Sequence, residues 1–231
     1  MSPKQVKNTI DAVIVFRDNI FIGTEGGGVF ASMDQGNTWL AYNKGLTNLT
    51  TRRMTIIDDS LFIGTNDGLY IFNEKKKEWI PKFNSDVLQV NGIAQLDNDL
   101  FIGTNKGAYK SAKPYNNWTQ VLLDRSLHNI AAGNGKIYAL AYNELFTSTD
   151  KGATWRSTQQ GLPKNLYSFQ LKQKDGRLFI GQWDGVYEGN GTQTWRLSSK
   201  GLPVKFPATE LVIYNEIIVA ASSGWVKENR H

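Results

Sequence analysis

Short apolar runs alternate with Gly-rich turns along the chain, and one such pattern recurs six times. Its clearest copies are LFIGTNDGLY at 61–70, LFIGTNKGAY at 100–109 and LFIGQWDGVY at 178–187. The other copies begin at residues 20, 137 and 217, so the copies follow one another every 37 to 41 residues. An apolar strand, a Gly-rich turn and a second apolar strand predict a β-hairpin in each copy.

Two further strands per copy complete a repeating unit. An apolar run precedes each hairpin, as MTIID does at 54–58, and a Trp follows five of the hairpins at a nearly constant distance. The constant distance indicates that these Trp residues share one position in the core between units: Trp39, Trp79, Trp118, Trp155 and Trp195. Four strands repeated about every 40 residues predict a β-propeller.

We therefore predict an all-β fold, a six-bladed β-propeller of four-stranded antiparallel blades with about 40 residues per blade. We expect one domain, residues 1–231, with blades near 11–43, 53–82, 90–122, 128–158, 166–198 and 207–231. The last unit has too few residues for a fourth strand. Residues 1–6 could supply that strand and close the ring; the alternative is a truncated or open last blade.

Composition and charge exclude several classes of function. The 231 residues include no Cys, which excludes disulfides, thiol catalysis and Cys-based metal sites. The net charge is +5, but Lys and Arg are scattered, so we expect no nucleic-acid partner. No apolar run approaches the ~20 residues of a membrane span, and the start MSPKQVKNT lacks the apolar core of a signal peptide. We expect no membrane insertion.

Histidine chemistry is sparse as well. The two His residues, His128 and His231, form no cluster that could hold a metal and no Ser-His-Asp set. We therefore expect neither a metal nor a cofactor.

An eight-residue pattern occurs twice, as SMDQGNTW at 32–39 and STDKGATW at 148–155. In such a turn the Asp carboxylate can accept backbone N–H bonds locally, and the Gly can take a positive φ. A structural turn is therefore expected. Its residues are Ser32, Asp34, Gly36, Thr38 and Trp39 in the first copy and Ser148, Asp150, Gly152, Thr154 and Trp155 in the second.

These two turns resemble the Asp box, or BNR repeat, of a β-propeller superfamily. That superfamily includes sialidases, xyloglucanases, sortilin-type receptors and photosystem II assembly-factor-like proteins, and the FIGTNDGLY units resemble sensor propellers of hybrid two-component regulators. The resemblance implies that Asp34 and Asp150 lie away from any active face and are structural. It also favours an extracellular or periplasmic location. FRDN at 16–19 departs from the arginine motif of sialidases.

The candidate ligand site lies where turns between second and third strands meet the loops joining consecutive blades; we call this the upper end of a blade. Aromatic residues Tyr142 and Trp183 replace the small polar residues Asn66 and Asn105 there. Tyr and Trp are common anchors in binding sites, although packing on a neighbouring loop would also explain them. The candidates are Trp183, Tyr142, Arg52, Arg53, Arg125, Asp67, Asp184 and Glu25.

We accordingly expect a non-catalytic propeller that binds a protein or an extracellular polymer, as a monomer or as part of a larger multidomain protein. One alternative is carbohydrate binding. A further alternative is a glycoside hydrolase or lyase, which would need two carboxylates about 5–10 Å apart at the channel mouth.

Overall fold

The computed structural model describes residues 8–142, 144–164, 168–189, 194–214 and 217–222, and the regular elements of these residues are all β-strands. The contacts within the chain divide it into two compact units, Met1–Arg125 and Ser126–His231. Among the described residues, no helix is long and apolar enough to cross a bilayer.

The first unit contains three four-stranded sheets in which consecutive strands pair antiparallel. The strands of its blades one to three are β1 (Ile10–Phe16), β2 (Asn19–Thr24), β3 (Gly28–Ser32) and β4 (Leu40–Ala41); β5 (Thr51–Ile57), β6 (Ser60–Thr65), β7 (Gly68–Asn73) and β8 (Glu78–Asn84); and β9 (Val90–Leu96), β10 (Asp99–Thr104), β11 (Gly107–Ala112) and β12 (Thr119–Leu123).

The second unit contains two four-stranded sheets and one two-stranded sheet of the same antiparallel kind. Its strands are β13 (Leu127–Gly133), β14 (Lys136–Ala141), β15 (Leu145–Ser148) and β16 (Arg156–Ser157) in blade four; β17 (Ser168–Lys174), β18 (Arg177–Gln182), β19 (Gly185–Gly189) and β20 (Trp195–Leu197) in blade five; and β21 (Glu210–Tyr214) and β22 (Ile217–Ala221) in the last sheet.

The prediction of six four-stranded blades is wrong, because the described residues form five. Among the described residues, the sixth repeat forms the two-stranded hairpin β21–β22 and no further strand. Residues 1–6, one of the two alternatives for completing the last blade, lie outside the described residues.

In the five four-stranded blades, the middle of the second strand is apolar because it is buried on both faces. In β6, Leu61 and Ile63 pack with Phe21 of blade one, whereas Phe62 between them packs with Leu100 of blade three. Successive side chains of a strand point to opposite faces, so a strand between two neighbouring blades needs apolar residues at every position. This explains the continuous apolar runs that mark the repeats.

Three of the repeated Trp residues make the same hydrogen bond to the blade before their own. The indole Nε1 of Trp79 donates a hydrogen bond of 2.7 Å to the carbonyl of Tyr42, and that of Trp195 donates one of 2.9 Å to Thr158. The indole of Trp118 makes the equivalent bond of 2.8 Å to Lys82. Each bond runs from the outer strand region of one blade to that of the blade before it. A buried Trp therefore satisfies its only donor while filling the core.

Candidate functional site

A β-bulge lies at the start of the first strand in every four-stranded blade. In each case the pairing with the second strand skips one residue, for example between Thr51 and Arg53. The skipped residues are Asp11, Arg52, Asn91, His128 and Phe169. A bulge re-aims side chains and often occurs beside functional sites.

Each bulge residue precedes, by 14 residues, the first residue of the turn that follows the second strand. These turn residues are Glu25, Asn66, Asn105, Tyr142 and Trp183. Because the two strands are antiparallel, both positions lie at the upper end of the blade. We call each such combination a bulge–turn pair.

The bulge–turn pairs of the first unit are polar. In blade two, Arg52 Nε donates a hydrogen bond of 2.7 Å to Asn66 Oδ1. In blade one, partial desolvation and then the charge of Glu25 raise the pKa of Asp11, while Arg52 opposes the rise. The predicted site residues Glu25 and Arg52 therefore both lie close enough to Asp11 for their charges to change its pKa, in opposite directions.

The bulge–turn pairs of the second unit are aromatic. In blade four, the rings of His128 and Tyr142 lie 5.8 Å apart between centroids, and in blade five the rings of Phe169 and Trp183 lie 5.2 Å apart in an edge-to-face arrangement. Burial lowers the pKa of His128, so its imidazole is neutral at pH 7. Aromatic pairs of this kind hold each ring in a defined orientation.

Exposure singles out the two turn residues of these pairs. Tyr142 is 45% exposed and Trp183 is 43% exposed, and they are the only exposed aromatics among the side chains whose burial the structure describes. Their inner partners, His128 and Phe169, are half-buried. Tyr142 and Trp183 therefore each present an exposed aromatic ring that packs against a half-buried ring.

The predicted site residue Asp67 is bound within its own unit. Its carboxylate accepts hydrogen bonds from the hydroxyls of Thr65 at 2.6 Å and Tyr70 at 3.1 Å, and from Thr47. These bonds tie the turn to the loop that enters blade two. Asp67 thus orders the upper end of the blade.

Asp184 is the equivalent residue in blade five, and its Oδ2 accepts a hydrogen bond of 2.9 Å from Tyr187. Burial, followed by this bond and the charge of Asp184, raises the pKa of Tyr187 to about 12. Asp184 is nevertheless exposed beside Trp183. It fixes the turn and also presents negative charge at the surface.

The remaining predicted arginines make backbone contacts. Arg53 Nε donates to the carbonyl of Asn91 at 3.3 Å, which links the inner strands of blades two and three. Arg125 Nη1 donates to the carbonyl of Asp124 at 3.0 Å. The structure therefore places Arg53 within a strand contact and Arg125 in a loop.

The two octapeptide turns have matching geometry. Asp34 Oδ1 accepts from Ser32 Oγ and from the backbone N–H of Thr38, each at 2.8 Å, and Asp34 Oδ2 accepts from Thr38 Oγ1 at 2.6 Å. Asp150 makes the same three contacts, with the same distances, to Ser148 and Thr154.

These bonds stabilise the charged carboxylates. The hydrogen bonds from Thr38, followed by that from Ser32, lower the pKa of Asp34. The equivalent bonds lower the pKa of Asp150 to about 2. Both turns lie between third and fourth strands, at the ends of the blades opposite the bulges.

Polar side chains also join the first strands of the second unit. Asn129 Nδ2 donates to Gln170 Oε1 at 3.1 Å, and Gln170 Nε2 donates to Glu210 Oε2 at 2.7 Å. These residues lie on β13, β17 and β21, so we call them the inner ladder. The ladder fixes the three strands side by side, just below the bulges of blades four and five.

Sequence reasoning missed Asp11 as a neighbour of Glu25 and Phe169 as a partner of Trp183. The signal that could have found them is the constant 14-residue separation from the first turn residue, which all five complete repeats share. Among the residues that the structure describes, no group of three or more His, Asp or Glu side chains could hold a metal ion.

Comparison with solved structures gives similar folds at low sequence identity. The extracellular domain of BT4673 from B. thetaiotaomicron is 17% identical with a TM-score of 0.76; the match covers 95% of this chain and 32% of that one. An ancestral GH74 enzyme is 14% identical with a TM-score of 0.71, covering 89% and 33%. YCF48 bound to D1 peptide is 12% identical with a TM-score of 0.69, covering 94% and 75%.

The chain spans about a third of the length of the first two structures. Among curated protein sequences, none matches significantly. The family model of the DUF6242 β-propeller domain matches residues 46–201, which is more than half of the chain and includes blades two to five. This chain therefore belongs to the DUF6242 β-propeller domain family.

Proposed function

We propose that the chain is a non-catalytic binding domain that recognises a protein or an extracellular polymer at the upper ends of blades four and five. The observation that carries this proposal is the exposure of Tyr142 and Trp183, whose side chains are 45% and 43% exposed. Both occupy the same position of neighbouring repeats, and both rest on an aromatic partner. Exposed Trp and Tyr on a rigid support are typical binding anchors.

We propose an extracellular or periplasmic location for this domain. The support is that similar structures include extracellular domains. We also propose that the turns at 32–39 and 148–155 are Asp boxes, on the strength of their matching hydrogen bonds.

The test is binding of the intact chain to a protein extract of its source and to a polysaccharide array. We expect the Tyr142→Ala/Trp183→Ala double variant to lose at least about tenfold in affinity for the bound target. Met33→Ala is the matched control, because Met33 is 49% exposed but lies in a turn at the opposite end of blade one. Equal binding by the double variant and the wild type would refute the proposed site.

Carbohydrate binding is a second candidate function, favoured by one observation. Trp183 is followed directly in the chain by Asp184, so an aromatic residue and a carboxylate are both exposed in the same turn. Ligand sites combine apolar faces with a few placed polar groups in this way. Binding to a polysaccharide that the Trp183→Ala variant abolishes would support this candidate, and hydrolysis assays on that polysaccharide would follow.

A further inference from the structure

We propose that the turn carrying Trp183 is a gate, which opens locally and exposes two buried polar side chains, Ser168 and Gln182. The turn joins β18 to β19 and spans residues 182–185; we call it the upper turn of blade five. Ser168 and Gln182 lie directly opposite one another on β17 and β18, at the base of this turn. The inference concerns a conformational change and goes beyond the proposed binding function.

Two polar atoms at the base of the turn have no hydrogen-bond partner in the described part of the chain. They are the hydroxyl Oγ of Ser168 and the amide Nε2 of Gln182. The two residues are only 1% and 2% exposed, so solvent does not satisfy these atoms either. A buried polar group without a partner costs free energy that the same group does not cost in water. Opening of the turn therefore removes an unfavourable contribution to the closed form.

Both side chains lie at the upper edge of an apolar core. Directly opposite residues of an antiparallel pair share one face of the sheet, and so does every second residue along a strand. Leu178 and Ile180 precede Gln182 at that spacing on β18, and both share a core with Tyr138 of blade four. The Gln182 amide thus enters the interface of blades four and five on a face whose preceding residues are apolar.

Other repeats satisfy the polar residue at the position of Gln182. In blades one and three, Thr24 and Thr104 donate to the carbonyl of the Gly that begins the third strand, at 2.8 and 2.9 Å. In blade two, Thr65 donates to the carboxylate of Asp67 at 2.6 Å. These bonds hold each turn to itself. Among the five described four-stranded blades, Gln182 alone leaves a polar atom at this position without a partner.

The position of Ser168 adds a second unsatisfied group to the same pair. Blades one, three and four have apolar residues there, Ile10, Val90 and Leu127. Blade two has Thr51, whose hydroxyl also lacks a partner among the described residues, but the residue opposite it is bonded. In the described blades, only blade five combines two unsatisfied groups in one pair, so we expect its upper turn to open most readily.

Opening changes the surface around the exposed ring of Trp183. It brings an amide N–H and a hydroxyl group to the surface, and neither carries a charge. Water or an uncharged oxygen of a ligand can then supply the hydrogen bonds that the closed form lacks.

Thiol labelling of the intact chain tests the gate. The chain contains no Cys, so Ser168→Cys introduces a single thiol at the buried base of the turn. Iodoacetamide can alkylate that thiol only when the turn opens. The matched control is Val90→Cys, because Val90 occupies the same position of blade three, is fully buried and lies opposite the bonded Thr104. We expect labelling at 168 to be at least about tenfold faster than at 90.

Adding Gln182→Thr to the Ser168→Cys variant should slow labelling at least about tenfold. The physical reason is that a Thr hydroxyl can donate to the carbonyl of Gly185, as Thr104 does to Gly107 in blade three. Hydrogen-exchange mass spectrometry provides a second measurement on a chain without an introduced thiol. We expect amide hydrogens of residues 180–187 to exchange about tenfold faster than those of 102–109, and Gln182→Thr to remove the difference.

The outcomes distinguish this inference from the proposed function. Equal labelling at 168 and 90, or labelling and exchange that Gln182→Thr leaves unchanged, would show that the gate is wrong while the proposed binding site stands. Labelling no faster than global unfolding, as measured by urea denaturation of the same variants, would overturn the gate as well. Target binding that the Tyr142→Ala/Trp183→Ala variant leaves intact refutes the binding site and does not affect the gate.

Discussion

At the scale of single residues, hydrogen bonding decides which polar side chains remain available to a ligand. Asp67 looks like a site residue in the sequence, yet three hydroxyl groups of its own unit surround its carboxylate. Asp34 and Asp150 each accept bonds from a Ser and a Thr within one turn. These carboxylates stabilise turns because they satisfy donors that the chain reversal would otherwise leave unpaired.

The lowered pKa of Asp150 predicts a specific dependence of stability on pH. Its folded-state pKa, about 2, is below the ordinary value of 3.8, so its stabilising effect is present above about pH 4 and is lost as the pH falls toward 2. We expect the Asp150→Asn variant to melt at a lower temperature than the wild type at pH 7. Below pH 3 the two melting temperatures should be nearly equal. Thermal unfolding across this range measures the effect.

Asp86→Asn is the matched control for that experiment, because Asp86 lies exposed in the loop between blades two and three. It should leave the melting temperature nearly unchanged at either pH. A constant difference between Asp150→Asn and the wild type from pH 7 to pH 2 would contradict the assigned role of the carboxylate.

At the scale of elements, a Trp-x5-Gly-Leu segment connects three of the blades to the next repeat. Gly45 and Gly161 both have a φ of +90°, and a Cβ at either position would lie 2.2 Å from the carbonyl oxygen of the next repeat's Trp, Trp79 or Trp195. The backbone N–H of that Trp donates at 2.8 Å to the residue before each Gly. The segment thus needs Gly for close approach as well as for its conformation.

Three Gly→Ala variants separate these two requirements. Gly201 occupies the same motif position, with a φ of +86°, but a Cβ there would meet nothing within 4 Å. We expect Gly201→Ala to lower the free energy of unfolding by about 1–2 kcal/mol through the left-handed conformation alone. Gly45→Ala and Gly161→Ala should lower the free energy of unfolding by about 3–4 kcal/mol, because the backbone of the next repeat's Trp must also move. Urea unfolding gives the three values; equal costs would exclude the close approach as a cause.

At the scale of the whole molecule, the repeats of each unit stabilise one another through neighbouring blades. The last sheet, β21–β22, packs on blade five through Leu211 and Ala208 and their neighbours, but leaves Val212, Ile217 and Val219 exposed. In repeat folds stability is approximately a sum over repeats and their interfaces. We therefore expect β21–β22 to be the least stable sheet in the described part of the second unit.

The inner ladder gives a direct test of this expectation. Gln170→Leu removes the bond to Glu210 and leaves the Asn129 amide without its partner side chain. We expect amide hydrogens of β21 and β22 to exchange about tenfold faster, because local opening becomes easier by roughly 1.4 kcal/mol. Hydrogen-exchange mass spectrometry measures this change.

Gln95→Leu is the control for that variant, because Gln95 also lies on a first strand but bonds to Asp58 in the first unit. It should leave exchange in β21 and β22 at the wild-type rate. Unchanged exchange in Gln170→Leu would mean that the inner ladder does not stabilise the last sheet.

Much of the fold could be predicted from the sequence because its determinants are local. Apolar runs such as LFI at 61–63 require burial on both faces, and the Gly-rich turns after them fix hairpins of a set length. The Trp spacing predicted a shared core position. Trp79 and Trp195 are buried between blades, whereas Trp39, Trp118 and Trp155 are only partly buried. The exposed aromatics Tyr142 and Trp183 also stood out, since each departs from its repeat.

By itself, then, the sequence determined the strands, their antiparallel order, the propeller repeat and the two aromatic residues, Tyr142 and Trp183, that depart from it. Only the tertiary structure decided that the described residues form five four-stranded blades and not six. A repeat becomes a full blade only where two further strands pair with its hairpin. It also decided that Phe169 supports Trp183 and that Asp67 is engaged within its own unit. The reason is physical: a bulge partner 14 residues away, or a hydroxyl donor on another loop, becomes a neighbour only after the strands have paired and the blades have packed.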